Sequence, residues 1–192
     1  MSGADRIDRQ LAFIGELDRL KDIARKTRVG GSGRHENSAE HSWHLAAMAG
    51  LLAEHAVAGV DVGRATRMVL VHDVVEIDAG DTFAFDEVAQ ADRADRERRA
   101  ADRLFGLLPP DQGSELRLLW DEFEEGVTPD ARYAVALDRF GGLLQNRLCD
   151  GGSWAEHGVT RAQVLDRMAP IRDGAPNLWA IVLRVLDEVG LG

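Results

Sequence analysis

The chain predicts an all-α protein, and three observations carry that reading. Apolar residues recur at spacings of three and four from one end to the other. Helix-capping residues stand ahead of these runs, at Asn37, Asp61, Asp86, Thr128 and Thr160. No clean period-two run and no Asn-Gly turn marks a strand hairpin. About eight helices joined by mostly short loops, in a single domain, suit a chain of 192 residues.

Leu11, Ile14, Leu17 and Leu20 step by threes and predict a first helix over residues 5–26. Gly30-Gly31-Ser32-Gly33 is a loop. Asn37 with Glu40 forms a capping box. It opens a helix through Leu45, Met48, Leu51 and Leu52 that stops near Gly59. Asp61 caps the next helix, which ends near Gly80, a residue suited to a left-handed helix end. Residues 81–85 are a short loop. Asp86 then opens a long charged helix toward Leu108. Its mixed-sign stretch over residues 93–99 reads as a solvated face. Pro109-Pro110 ends it, and residues 115–123 form a shorter helix with Leu116, Leu119, Trp120 and Phe123 on its apolar side.

Thr128 followed by Pro129 starts a helix that continues toward Leu148. After a Gly151-Gly152-Ser153 loop, Thr160 and Gln163 make a second capping box before a helix to about Arg172. Residues 177–189 close the chain, with Ile181, Val182, Val185 and Leu186 turned inward.

The charge balance is 33 acidic to 23 basic residues, a formal net charge of -10. That argues against a surface that coats a nucleic-acid polymer. It leaves room for a small phosphorylated substrate, because a bound dication inverts the local field of an acidic protein. Cys149 is the one cysteine, so neither an internal disulfide framework nor a cysteine zinc site is available. It reads as a small apolar residue on a helix. The first eight residues hold no apolar leader, and no stretch approaches the length of a membrane span. The expected setting is the cytoplasm, away from membranes.

One stretch concentrates the chemistry. From Met68 to Ile77 the chain is apolar except at His72, Asp73 and Glu76. A buried carboxylate costs several kcal/mol unless a cation meets it. On a helix these three positions share a face. Asp138 interrupts the apolar run Ala134-Val135-Ala136-Leu137 in the same way, and His41 lies in the first turn of its helix. Two imidazoles and two carboxylates form a mixed nitrogen and oxygen set that suits Mn, Fe, Co, Ni or Zn.

Three segments carry a resemblance. They are Glu36-Asn37-Ser38-Ala39-Glu40-His41-Ser42-Trp43, then His72-Asp73-Val74-Val75-Glu76-Ile77-Asp78-Ala79-Gly80-Asp81, then Leu137-Asp138-Arg139. Together they resemble the HD-domain metal-dependent phosphohydrolases, in the branch containing the bacterial 5'-deoxynucleotidases and their eukaryotic relatives. The resemblance covers roughly residues 10–150. It implies a single HD domain over residues 1–192, its metal-site core at 34–150 and its C-terminal helices at 160–190 packed against that core.

The same resemblance implies one divalent ion on His41, His72, Asp73 and Asp138. Glu76 would orient water or transfer its proton, and Asp81 would face the sugar or the leaving group. Arg25 matches the family's phosphate-contacting arginine if one residue of loop length differs, with Arg28 and Arg34 as alternatives. Lys26 stands where nucleotidases that exclude ribonucleotides carry a tryptophan, so deoxyribose selectivity is not implied. The expected activity is phosphate release from nucleoside 5'-monophosphates. An HD-domain phosphodiesterase or nucleotide pyrophosphohydrolase is one alternative. A non-catalytic metal-binding scaffold or ligand sensor is another, although such a site would need neither Glu76 nor Asp81. The relatives are commonly dimers, so a homodimer is expected.

Overall fold

A computed structural model describes residues 3–191. Among these residues the chain is one all-α domain with a single small sheet of two strands. Helix α1 (Gly3–Leu17) buries Phe13 and tightens into a 3-10 turn over Asp18–Asp22. The first helix therefore ends well short of residue 26. Strand β1 (Ala24–Arg28) follows and pairs antiparallel with β2 (His35–Asn37). Thr27 and Val29 are β-branched and favour extended backbone. The glycine-rich loop lets the chain return, closed by Val29 N–H to the Arg34 carbonyl at 2.8 Å and Gly33 N–H to the Val29 carbonyl at 3.0 Å. This turn is longer than the two-residue hairpin that the sequence lacks, which is why strand signals look absent. Period-two alternation along β1 turns Arg25 and Thr27 inward and Lys26 outward.

Helix α2 (Ser38–Leu51) opens on the expected capping box: Glu40 N–H donates to the Asn37 side chain, and Asn37 N–H donates to Glu40 Oε2. Helix α3 (Val62–Val71) is capped by Asp61 as expected. The chain then narrows to a 3-10 turn, His72–Val75, and relaxes into α4 (Glu76–Ala79). Gly80 ends that segment at φ 76°, ψ 153°, a conformation open essentially to glycine.

The long helix expected from Asp86 is two, α5 (Glu87–Gln90) and α6 (Arg93–Phe105). Asp86 caps only the first of them, and Arg96 reaches back to the Ala89 carbonyl at its end. Helix α7 (Pro110–Glu125) starts at the second proline, earlier than expected, because a proline in the first turn has no N–H to leave unpaired. Helix α8 (Pro129–Leu148) runs as predicted from its Thr128 cap. Then come α9 (Gly152–Glu156), α10 (Arg161–Met168), α11 (Ile171–Gly174) and α12 (Trp179–Glu188). Pro170 separates α10 from α11, since it cannot continue the first helix.

Helix α8 is the hub. Its Tyr133, Leu137, Phe140 and Leu143 pack in one cluster with Leu45 of α2, Met68 of α3 and the late residues Ile171 and Val182. A second cluster gathers Phe13, Val74, Val75, Ile77, Leu104 and Trp120. The segment from Met68 to Ile77 passes from the first cluster to the second and presents its polar residues between them. Gly141 sets the spacing of α8 on α2. A Cβ there would lie 2.7 Å from Leu45 Cδ2 and 3.6 Å from His41 Cε1. This close approach brings Asp138, one turn earlier, against His41.

Candidate metal centre

His41 and His72 are buried, with ring centroids 5.6 Å apart. His72 Nδ1 lies 2.8 Å from the Val69 carbonyl. Only an N–H can sit against a carbonyl oxygen, so the hydrogen is on Nδ1 and the Nε2 lone pair faces inward. That Nε2 is buried and has no hydrogen-bond partner. It stands 3.0 Å from Asp73 Oδ1 without hydrogen-bond alignment, so the two atoms converge on a common space. Asp138 Oδ1 lies 3.0 Å from His41 Nε2 and 3.9 Å from His72 Nε2. His41, His72 and Asp73 offer ligand atoms within 4.8 Å of one another. An orphaned imidazole nitrogen facing two carboxylates and a second imidazole is a donor set that fits a divalent ion.

Each of the four side chains is held from behind, as metal ligands commonly are. His41 Nδ1 faces Glu36 Oε2 at 3.4 Å, and Thr27 Oγ1 donates to the same oxygen at 3.0 Å. Arg25 Nη1 donates to Asp73 Oδ2 at 2.7 Å. Arg139 donates to Asp138 Oδ2, the oxygen turned away from His41. The charge states follow. Burial and the Arg25 charge oppose a proton on His41, but hydrogen bonds to Asp138 and Glu36 outweigh them and raise its pKa to about 9. Burial lowers that of His72, against the pull of Asp73 and Asp138. Burial also opposes the charge on Asp138, yet Arg139 and the two imidazoles hold it well below the usual carboxylate range.

Glu76 and Asp81 stand beside this set. Ser38 Oγ donates to Glu76 Oε2 at 2.5 Å, and Glu76 Oε1 lies 3.8 Å from Arg25 Nη1. Burial, then the Asp73 charge, push Glu76 well above its ordinary value. Asp81 Oδ1 is 3.7 Å from Arg25 Nη1, and burial raises it although Arg25 pulls the other way. Arg25, His72, Asp73, Glu76, Asp81 and Asp138 open onto a cleft of about 330 Å³, with Arg93, Arg139 and Arg167 on its walls. A smaller adjoining lobe of about 100 Å³ adds Lys26, Phe83, Phe85 and Trp154.

Of the three arginines named from sequence, the fold brings Arg25 to the cleft and holds the other two elsewhere. Arg28 donates to Glu156 at 2.6 Å and to the Gly33 carbonyl at 2.8 Å. Arg34 forms a two-pronged pair with Glu40 at 2.8 and 2.6 Å. Sequence reasoning passed over Glu36, Arg139 and Arg167. The first two lie inside the segments that carried the resemblance, and an acid on an inward strand position is the signal that would have found Glu36. Arg167 sits in a short polar helix with no such signal.

The HD domain family matches residues 17–179, and the chain belongs to that family. Among curated proteins it is similar to the human 5'-deoxynucleotidase HDDC2, 29% identical over 143 residues that span 74% of this chain and 68% of that one. The HDDC2 5'-deoxynucleotidase of Bos taurus is 31% identical over 148 residues, 74% of this chain and 67% of that protein. Among solved structures, that of a predicted metal-dependent phosphohydrolase from Magnetospirillum magnetotacticum MS-1 is 52% identical, with a TM-score of 0.92 over 96% of this chain and 93% of the other.

Proposed function

We propose that this chain is a divalent-metal-dependent phosphomonoesterase that releases phosphate from nucleoside 5'-monophosphates. One observation supports the reading: His72, Asp73 and Asp138 line one cleft with Glu76, Asp81 and Arg25, and buried His41 lies behind them, 3.0 Å from Asp138. Similarity to proteins named 5'-deoxynucleotidase supports the substrate class. A divalent ion on those four side chains, one of Mn, Co, Fe, Ni or Zn, supplies Lewis acidity and a water of lowered pKa.

The chain's own residues do the rest. Ser38 fixes one Glu76 oxygen, leaving the other to orient water and take its proton. Asp81, raised by burial, is suited to hand a proton to the departing sugar oxygen. Arg25, already turned toward four carboxylates, offers its guanidinium to the phosphoryl oxygens. The aromatic lobe with Phe83, Phe85 and Trp154 suits the nucleoside end. A cytoplasmic homodimer belongs to the same proposal, and light scattering on the purified protein tests the dimer.

The test strips the protein of metal, reloads it with Mn or Co, and measures free phosphate from a nucleotide panel. Release from monophosphates but not from triphosphates or cyclic nucleotides is the expected result. Cleavage of cyclic nucleotides, or pyrophosphate from triphosphates, would shift the reading to the other HD-domain hydrolases. Tight metal binding with no turnover would leave the scaffold.

A further inference from the structure

Arg167 lines both lobes of the cleft, yet among the described residues it makes no hydrogen bond and no ion pair. Three other cleft arginines each have a carboxylate within the chain, Arg25 with Asp73, Arg139 with Asp138 and Arg93 with Glu97, and Arg132, also without an ion pair among the described residues, is exposed to solvent. Burial lowers the Arg167 pKa to about 10, the nearby charges of Arg139, Arg93 and Arg25 add to that, and Asp138 opposes them. The side chain is still a cation at neutral pH, and a poorly solvated cation among like charges costs stability. Packing does not require it there, because α10 buries Val164 and Met168 instead. In a chain with ten more acids than bases, the lack of a carboxylate partner at this position is telling. Among the described residues no carboxylate pairs with it, and an anion entering the cleft would.

We propose that Arg167 is a phosphate-binding residue, holding the substrate's phosphoryl oxygens from the α10 wall while Arg25 holds them from the β1 wall. The proposal rests on the phosphohydrolase reading, and deepens it by adding a contact from the C-terminal part of the chain. Guanidinium on two sides suits a dianionic phosphate and favours a terminal monoester over a diester, which carries one charge fewer.

The experiment compares wild type with Arg167→Gln and Arg167→Lys, all loaded with Mn. Inorganic phosphate binding is measured by calorimetry, KM and kcat with a nucleoside monophosphate, and unfolding temperature on metal-free protein. For Arg167→Gln we expect unchanged metal content and phosphate binding weakened about 10-fold or more, the scale of a lost charged hydrogen bond. KM should rise by a similar factor while kcat changes less. The metal-free variant should be as stable as wild type or more so, and Arg167→Lys should recover part of the affinity. Phosphate binding equal to wild type in Arg167→Gln would overturn the proposal, as would loss of stability or metal in both variants. Calorimetry decides the question separately from turnover. A wild-type protein that binds phosphate but hydrolyses nothing would sink the phosphohydrolase reading alone.

Discussion

The wall of the cleft that carries His72 and Asp138, with His41 buried behind them, comes from α2, the end of α3 and α8, all packed in one core cluster. The wall that carries Arg25 and Arg167 comes from a five-residue strand and an eight-residue helix. On the first wall every donor is braced, as His72 is by Val69 and Asp138 by Arg139. On the second, Arg25 borrows carboxylates from across the cleft and Arg167 has no partner among the described residues. Under the proposed function the difference follows from the ligands. A dication needs short, fixed side chains on rigid elements, because coordination distances tolerate little error. A phosphate is met by long arginines whose reach absorbs variation in the backbone beneath them.

Breaking the first wall should have the largest effect. Asp138→Ala removes one carboxylate and leaves two imidazoles and Asp73, so the purified variant is expected to lose its metal. Elemental analysis showing wild-type content would remove Asp138 from the ligand set. Next in size is Glu76→Gln, which keeps the metal donors. Turnover should drop by about 10²-fold or more while metal content holds. Rates like wild type in that variant would take Glu76 out of the proton transfer.

Glu36→Gln sharpens the comparison within the first wall, because it weakens the brace on His41 without touching a proposed ligand. Metal affinity should fall about 10- to 100-fold, read by competition with a chelator. The same pair gives a pH dependence. His41, raised to about 9, is protonated below that pH in the metal-free protein, and an ion can take Nε2 only after the proton leaves. Apparent metal affinity should therefore climb as pH rises toward 9, with proton release visible in calorimetry across buffers. A flat profile between pH 6.5 and 9 would contradict the charge state assigned to His41. The smallest effect belongs to Arg28→Ala and Arg34→Ala, whose partners are Glu156 and Glu40 outside the cleft. Both should leave KM close to wild type. A large rise in either would return that arginine to the phosphate site.

The two walls also differ in how far sequence alone reveals them. His72, Asp73 and Asp138 are conspicuous because each interrupts an apolar run, where burial makes an ionisable group expensive. The caps at Asn37, Asp61, Thr128 and Thr160 are local signals and fall where helices begin. Apolar spacing puts Arg25 at a helix end, but it lies on a strand, because pairing with β2 is a non-local interaction that helical periodicity does not register. Arg167 was hidden for a related reason. Nothing beside it in the chain distinguishes it from a solvated arginine, and only the fold of α10 over the cleft removes it from other partners.

The most direct test of the central claim is the position of the ion in crystals grown with Mn, located by anomalous scattering. The account predicts one peak about 2.0–2.3 Å from His41 Nε2, His72 Nε2 and one oxygen each of Asp73 and Asp138. A peak away from these atoms, or one that Asp138 does not touch, would contradict it.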